Sequence, residues 1–351
     1  MFQSHRLLTT RIEKTHSKAL QTSIASHTST ASRSTLFKTL FFVGLPATLL
    51  LNGCEYYIKK VNLEQLSQNP PFNIPLTTGQ HQDGEVFLRI AILGDAEPKP
   101  LAEFPNMRGA IEQMNTLHQA EPIDFVIGVG DIAHEGTDIQ YEASTVELQK
   151  FTVPFYPIMG NEEHNESVEK YLDYAQKWNP VVTSSRYVME GDSIAFIFAS
   201  PGYSREFEDE GVLWIRDQLQ AMAPKPVFLI VHGAQAGAYP ENPEKGVHNP
   251  LFVEEVVSQP NLTAMISGDL HMDMERVNHS KQIGSTHYLH IPGVERTKIP
   301  DETNHTPMFR LMTITHEGQV LVDTYTVGES EPHERLAYSF EISFTERSEQ
   351  N

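Results

Sequence analysis

Five short apolar runs in this chain each end on a residue that can bind a cation. The endings are Gly94-Asp95-Ala96-Glu97, Gly130-Asp131, Gly160-Asn161-Glu162-Glu163-His164, Val231-His232-Gly233 and Gly268-Asp269-Leu270-His271. An apolar run of this length is a buried strand, and a glycine next to its end permits a tight turn that aims the following side chain out of the sheet. One Gly-Asp after a strand is usually a turn or a helix cap. Five strand exits in series, all carrying oxygen or imidazole donors, describe one site assembled from separated segments.

The spacing between these exits predicts an α/β fold. Strands are expected at 86–93, 125–129, 153–159, 227–231 and 262–267, with a hairpin of 187–190 and 194–199 around Gly191-Asp192. Helical periodicity falls between them, at 106–119, 138–150, 166–178, 211–222 and 250–258. The tail reads as strand at 284–291, 308–315, 319–326 and 336–344, which suggests a second sheet packed against the first. In such sheets ligands sit beyond the carboxyl ends of the strands, where the polar signatures lie.

Charge narrows the partners. The chain carries 26 Lys and Arg against 46 Asp and Glu, and residues 1–54 hold six of the basic residues but one acid, Glu13. The remaining body therefore has 20 basic against 45 acidic residues, a net charge of −25. Such a surface repels nucleic-acid backbones and anionic lipid headgroups, so no nucleic-acid partner is expected. A phosphate-bearing substrate would need local positive charge, for which a bound metal is the obvious source.

The single cysteine, Cys54, excludes an internal disulfide or a CxxC zinc site. It follows Lys38, an apolar run over 40–51 and the sequence Leu51-Asn52-Gly53. This arrangement resembles a bacterial lipobox, implying a signal peptide over 1–54 and lipidation at Cys54. With Glu55 next, the expectation is an exported, periplasm-facing lipoprotein anchored to a membrane, the outer membrane favoured. Residues 55–84 read as a tether, 85–330 as the folded domain, and 331–351 as an extension that could supply a final strand.

The order and local sequence of the five endings resemble the calcineurin-like metallophosphoesterase superfamily, over residues 86–327. That family's pattern is Asp-x-His, Gly-Asp, Gly-Asn-His-Asp/Glu, His and Gly-His-x-His; Gly130-Asp131, Gly160-Asn161 and Val231-His232 match directly. The resemblance implies a two-sheet β-sandwich flanked by helices, a four-layer α/β/β/α fold. It further implies a phosphoester hydrolase with two divalent metals about 3.5 Å apart that activate a bridging hydroxide. By position, one metal would take Asp95, Glu97, Asp131 and His271. The other would take the bridging Asp131 with Asn161, His232 and Asp269.

Three positions depart from the pattern. Glu97 and Asp269 stand where the family has histidine ligands, and Glu162 replaces the histidine that contacts substrate or leaving group. Two of these exchanges keep a donor atom, which points to re-specification of the site. Four carboxylates would neutralise two divalent ions, and hard oxygen donors favour Mn or Fe, with Mg, Ca or Zn also admitted. A neutralised centre attracts a phosphate dianion weakly, so a phosphodiester is slightly favoured over a monoester. Asp131 and Glu162 are the catalytic candidates, Glu162 as a general acid if burial keeps it protonated. His134 and His164 are candidate additional participants, although a histidine lining the cleft is the commoner outcome. Arg108 and Arg186 could meet a phosphate. The alternative is a catalytically silent metal- or phosphoester-binding envelope protein that retains the fold.

Overall fold

The computed structural model describes residues 72–99 and 101–344. The signal-peptide and Cys54 readings, and the tether up to residue 71, lie outside the described residues. Thirteen strands among the described residues form two sheets. The seven-stranded sheet runs β1 (Phe72–Pro75), β5 (Arg186–Glu190), β6 (Ala195–Ala199), β7 (Val227–Val231), β8 (Leu262–Ser267), β10 (Thr286–His290), β9 (Ser280–Ile283). The six-stranded sheet runs β13 (Tyr338–Glu341), β12 (Gln319–Thr326), β11 (Met308–Thr315), β2 (Val86–Leu93), β3 (Phe125–Gly128), β4 (Phe155–Pro157).

Alternation along the strands builds the layers. Ile90 and Ile92 of β2, Phe125 and Ile127 of β3, and Phe196, Phe198, Phe228 and Ile230 opposite share one core, while Ala91, Leu93 and Val126 face the other way. Those outward residues meet Met107, Ala110, Ile111 and Met114 of helix α1 (Pro105–Ala120). On the far side Ile197, Leu229 and Val231 pack against Val212, Ile215 and Leu219 of helix α4 (Asp209–Met222). Both faces of each central strand are buried, which is why β3 and β7 read as unbroken apolar runs. Helix α2 (Asp138–Leu148) and helix α3 (Val168–Trp178) follow β3 and β4, and α3 starts where the Ser167 side chain accepts from Lys170 N.

The expected four layers are present, with three differences in assignment. The tail does not form a sheet of its own: β11 pairs antiparallel with the free edge of β2, and β12 and β13 extend that sheet. The second sheet comes from the middle of the chain. Residues 72–75, within the stretch read as a tether, form β1 and pair with β5. Beyond it His81 bonds Asp124 at 3.1 Å, so the body begins before residue 85. The helix expected at 250–258 contains a π-helical segment, Phe252–Val257.

The five motifs follow β2, β3 and β4 of one sheet and β7 and β8 of the other. The carboxyl ends of strands from both sheets thus supply one cleft.

Candidate metal centre

Asp95, Glu97, Asp131 and His271 present four ligand atoms that all lie within 4.8 Å of one another, and all four residues are buried. The His271 Nδ1–H donates to Arg296 O at 3.1 Å, which leaves Nε2 facing Asp95 Oδ1 at 3.6 Å and Glu97 Oε1 at 3.5 Å. A ligating histidine is normally fixed by such a bond from its other nitrogen. Burial, then the charges of Lys298 and Arg296, hold this imidazole well below its ordinary pKa, so it is neutral and carries a lone pair. Burial also pushes the Asp95 carboxyl up to about 7, and raises Glu97 well above the carboxylate range with help from Asp131 and Asp95. Glu97 Oε2 and His271 Nε2 are buried without a hydrogen-bond partner. Two orphaned donor atoms among crowded buried carboxylates fit a divalent cation, whose charge would offset their repulsion and desolvation.

Asn161, His232 and Asp269 also converge, but around a different cation. His232 Nδ1–H donates to Val129 O at 2.9 Å, and Nε2 lies 3.3 Å from Asn161 Oδ1, 3.4 Å from Asp131 Oδ1 and 3.8 Å from Asp269 Oδ1. Burial opposes the charged imidazolium, yet Asp131, Asp269 and Asp95 raise its pKa to about 10. The Arg205 guanidinium donates to Asp269 Oδ2 at 2.9 Å, Asp269 Oδ1 at 3.1 Å and Asn161 Oδ1 at 2.5 Å.

The backbone carries strain where it aims these side chains. Asp95, Asp131, Asp269 and His271 themselves adopt positive φ, at 33°, 51°, 67° and 48°. Such values in non-glycine residues persist where surrounding contacts over-determine them. Of the glycines that precede the motifs, Gly130 also has positive φ, at 92°, whereas Gly160 is needed for space. A Cβ there would collide with Asp131 and lie 2.8 Å from His232 Cε1.

Glu162 sits apart from a protonated carboxylic acid's environment. Lys99 Nζ donates to it at 2.8 Å, His134 Nδ1 at 2.7 Å and Glu135 N at 3.0 Å. Burial would raise its pKa, but these donors bring it down to about 2, so it is ionised and cannot deliver a proton at neutral pH. That removes the general-acid option raised for it from sequence. His134 is tied to Glu162, and His164 Nε2–H donates to Pro201 O at 2.9 Å. Neighbouring Glu163 accepts from the backbone N–H groups of Asp131, Ile132, Ala133 and Gly160 at 2.6–3.0 Å, locking the exits of β3 and β4 together.

Sequence reasoning missed the basic residues of the cleft. Arg205, Lys245, Arg296, Lys298 and Lys99 surround the carboxylates, whereas Arg108 is bound to Glu147 and Arg186 to Glu208. They come from loops far apart in sequence and carry no local motif. Only Arg296 and Lys298 give a hint, as basic residues just past the β10 strand end.

A family model of the calcineurin-like phosphoesterases matches residues 88–273, more than half of the chain. The chain belongs to this family. Among curated phosphoesterases it is similar to a probable glycerophosphodiester phosphodiesterase, GpdQ, of Arcobacter nitrofigilis, with 27% identity over 113 residues. That match spans 31% of this chain and 41% of the relative. Among solved structures the fold is similar to a dimetal phosphatase from Danio rerio, with TM-score 0.55 and 13% identity over 74% of this chain and 100% of that one. It is also similar to the purple acid phosphatase PPD1 of yellow lupin, Lupinus luteus, with TM-score 0.53 and 14% identity over 72% of this chain and 53% of that one. A third is GAP50, the anchor in the inner membrane complex of Plasmodium, with TM-score 0.52 and 11% identity over 74% and 90% of the two chains. At these identities the structural likeness bears on fold alone. The family and the buried Asp–Glu–Asp–His cluster are together suited to holding a divalent metal ion.

Proposed function

We propose that this protein is a metal-dependent phosphoester hydrolase that prefers diesters to monoester dianions. The observation that carries the reading is the pair of orphaned buried atoms, Glu97 Oε2 and His271 Nε2, inside a four-ligand cluster. A divalent ion held there would supply a Lewis acid for a phosphoryl oxygen and a nucleophile drawn from water at neutral pH. Around it the chain's own residues bind and orient the ester. Lys245, Arg296 and Lys298 offer positive charge to a phosphoryl group, and Glu162 is a positioning residue that holds His134 and Lys99 at the cleft. The many carboxylates disfavour a second negative charge on the substrate, and the similarity to a named phosphodiesterase supports the same preference.

The test uses the full chain with Mn²⁺, Fe²⁺, Zn²⁺ or Mg²⁺ and two chromogenic esters. Bis(p-nitrophenyl) phosphate should turn over faster than p-nitrophenyl phosphate, and Asp131→Asn should lower the rate by about 100-fold or more. Undiminished activity in Asp131→Asn would reject the reading.

A second reading is a catalytically silent metal- or phosphoester-binding protein. It is favoured by the ion pairs Arg205–Asp269, Arg296–Glu97 and Lys99–Glu162, which compensate three carboxylates without any metal. Bound metal with no turnover of either ester would establish it. We further propose export and lipid anchoring through Cys54, favouring the outer membrane. Cys54→Ser should move the protein out of the membrane fraction, and an unchanged distribution would refute the anchor.

A further inference from the structure

The two expected metal positions differ in what already fills them. At the first, Arg296 occupies only Glu97 Oε1, at 2.6 Å, and Glu97 Oε2 and His271 Nε2 have no partner. At the second, the oxygens of Asp269 and Asn161 are already engaged. Asp269 accepts from Arg205 through both oxygens, Asn161 Oδ1 accepts from the same guanidinium at 2.5 Å, and Lys245 Nζ lies 3.5 Å from Asp269 Oδ1. These are two of the three residues that would serve the second ion alone; the third, His232, has Nε2 3.3 Å from Asn161 Oδ1. Arg205 cannot shed its proton, and its planar fork matches a carboxylate in bidentate fashion. A divalent ion placed on Asp269 and Asn161 would share their oxygens with a permanent cation at hydrogen-bond distance. The second position therefore does not fit a metal while Arg205 is in place.

Local structure supports a built-in role for this arginine. It lies in the loop between β6 and α4, next to Ser204, which adopts a positive φ of 51°. Its side chain is 27% exposed, and Nη1 makes a single long contact, 3.5 Å to Ser204 Oγ. One edge of the guanidinium is thus spent on Asp269 and Asn161, and Nη1 on the other is left with that one long contact.

We propose that Arg205 is a resident cation in the second position, so that the centre holds one divalent metal ion, on Asp95, Glu97, Asp131 and His271, and not two. This rests on the reading of that first cluster as a metal site. It assigns Arg205 to anchoring an anionic phosphoryl oxygen from the side where a second ion would otherwise act.

The experiment is metal counting by elemental analysis on the full chain equilibrated with excess Mn²⁺ and desalted, with Mn²⁺ electron spin resonance on the same samples. Wild type should carry one equivalent with the spectrum of an isolated ion. Arg205→Ala, which frees Asp269 and Asn161, should carry two equivalents with the broadened spectrum of a coupled pair. Arg205→Lys, which keeps a cation there, should stay at one. Two equivalents in wild type would overturn the proposal and leave the hydrolase reading standing, and so would one equivalent in Arg205→Ala. No metal in any of the three proteins would overturn the first site and this inference together.

Discussion

Gly160 illustrates how little room separates the site's parts. Its missing side chain lets β4's exit press against Asp131 and His232, so that one methyl group must displace a ligand. Gly160→Ala should fold, at a cost of about 1–3 kcal/mol for overpacking, and bind Mn²⁺ about 10- to 100-fold more weakly. Calorimetric titration with Mn²⁺ measures the second effect, and unaltered affinity would show that Asp131 does not contribute to the centre. The same scale shows what residue types alone can reveal. Asp95, Asp131 and His232 stand out as donors at strand ends, but the ionised state of Glu162 depends on Lys99, 63 positions away, and on His134. The same carboxyl in an apolar pocket would have been an acid. Composition could not tell those environments apart.

At the scale of elements, the strands that carry the motifs were legible because both of their faces are buried. The exits of β2, β3, β7 and β8 lie within two residues of the positions read from hydropathy. Pairing was less legible. β1 is four residues long and offered no period, and its place beside β5 is set by backbone hydrogen bonds that any sequence can make. The tail strands were recognised as strands, yet whether they would build a new sheet or extend the old one depended on the open edge of β2. Phe309 and Leu311 face α1 while Met312 and Ile314 face the other sheet, an alternation compatible with either. The basic side chains of the cleft sit on loops, where no periodicity marks them.

Across the whole molecule, two buried histidines link stability to pH. His279 and His290 adjoin the buried Arg310, and burial, with that charge, holds both near pKa 3. An unfolded histidine titrates near 6.5, so between about 6.5 and 3 the unfolded chain binds protons that the folded chain refuses. Their contribution is therefore fully present above pH 6.5 and is lost as pH falls, each at about 1.4 kcal/mol per pH unit. The raised carboxyls Asp95 and Glu163, both near 7, act with the opposite sign. A double variant, His279→Gln with His290→Gln, removes the histidine part alone. Its urea midpoint should fall less than that of wild type between pH 7 and pH 5, and an equal fall would show that these histidines are not held neutral.

The five donor-bearing strand exits were determined by sequence alone. Apolar runs bury themselves and polar residues at their ends cannot follow them into the core, so the identity and order of the ligand candidates are local properties. Only the tertiary structure decided which charges share the cleft. Arg205 reaches Asp269 across 64 positions and Arg296 reaches Glu97 across 199, contacts that folding alone creates. Electrostatic energy depends on distance and burial, neither of which is written along the chain. The carboxylate-rich centre visible in the sequence is, in three dimensions, a centre of carboxylates already partly matched by arginine and lysine.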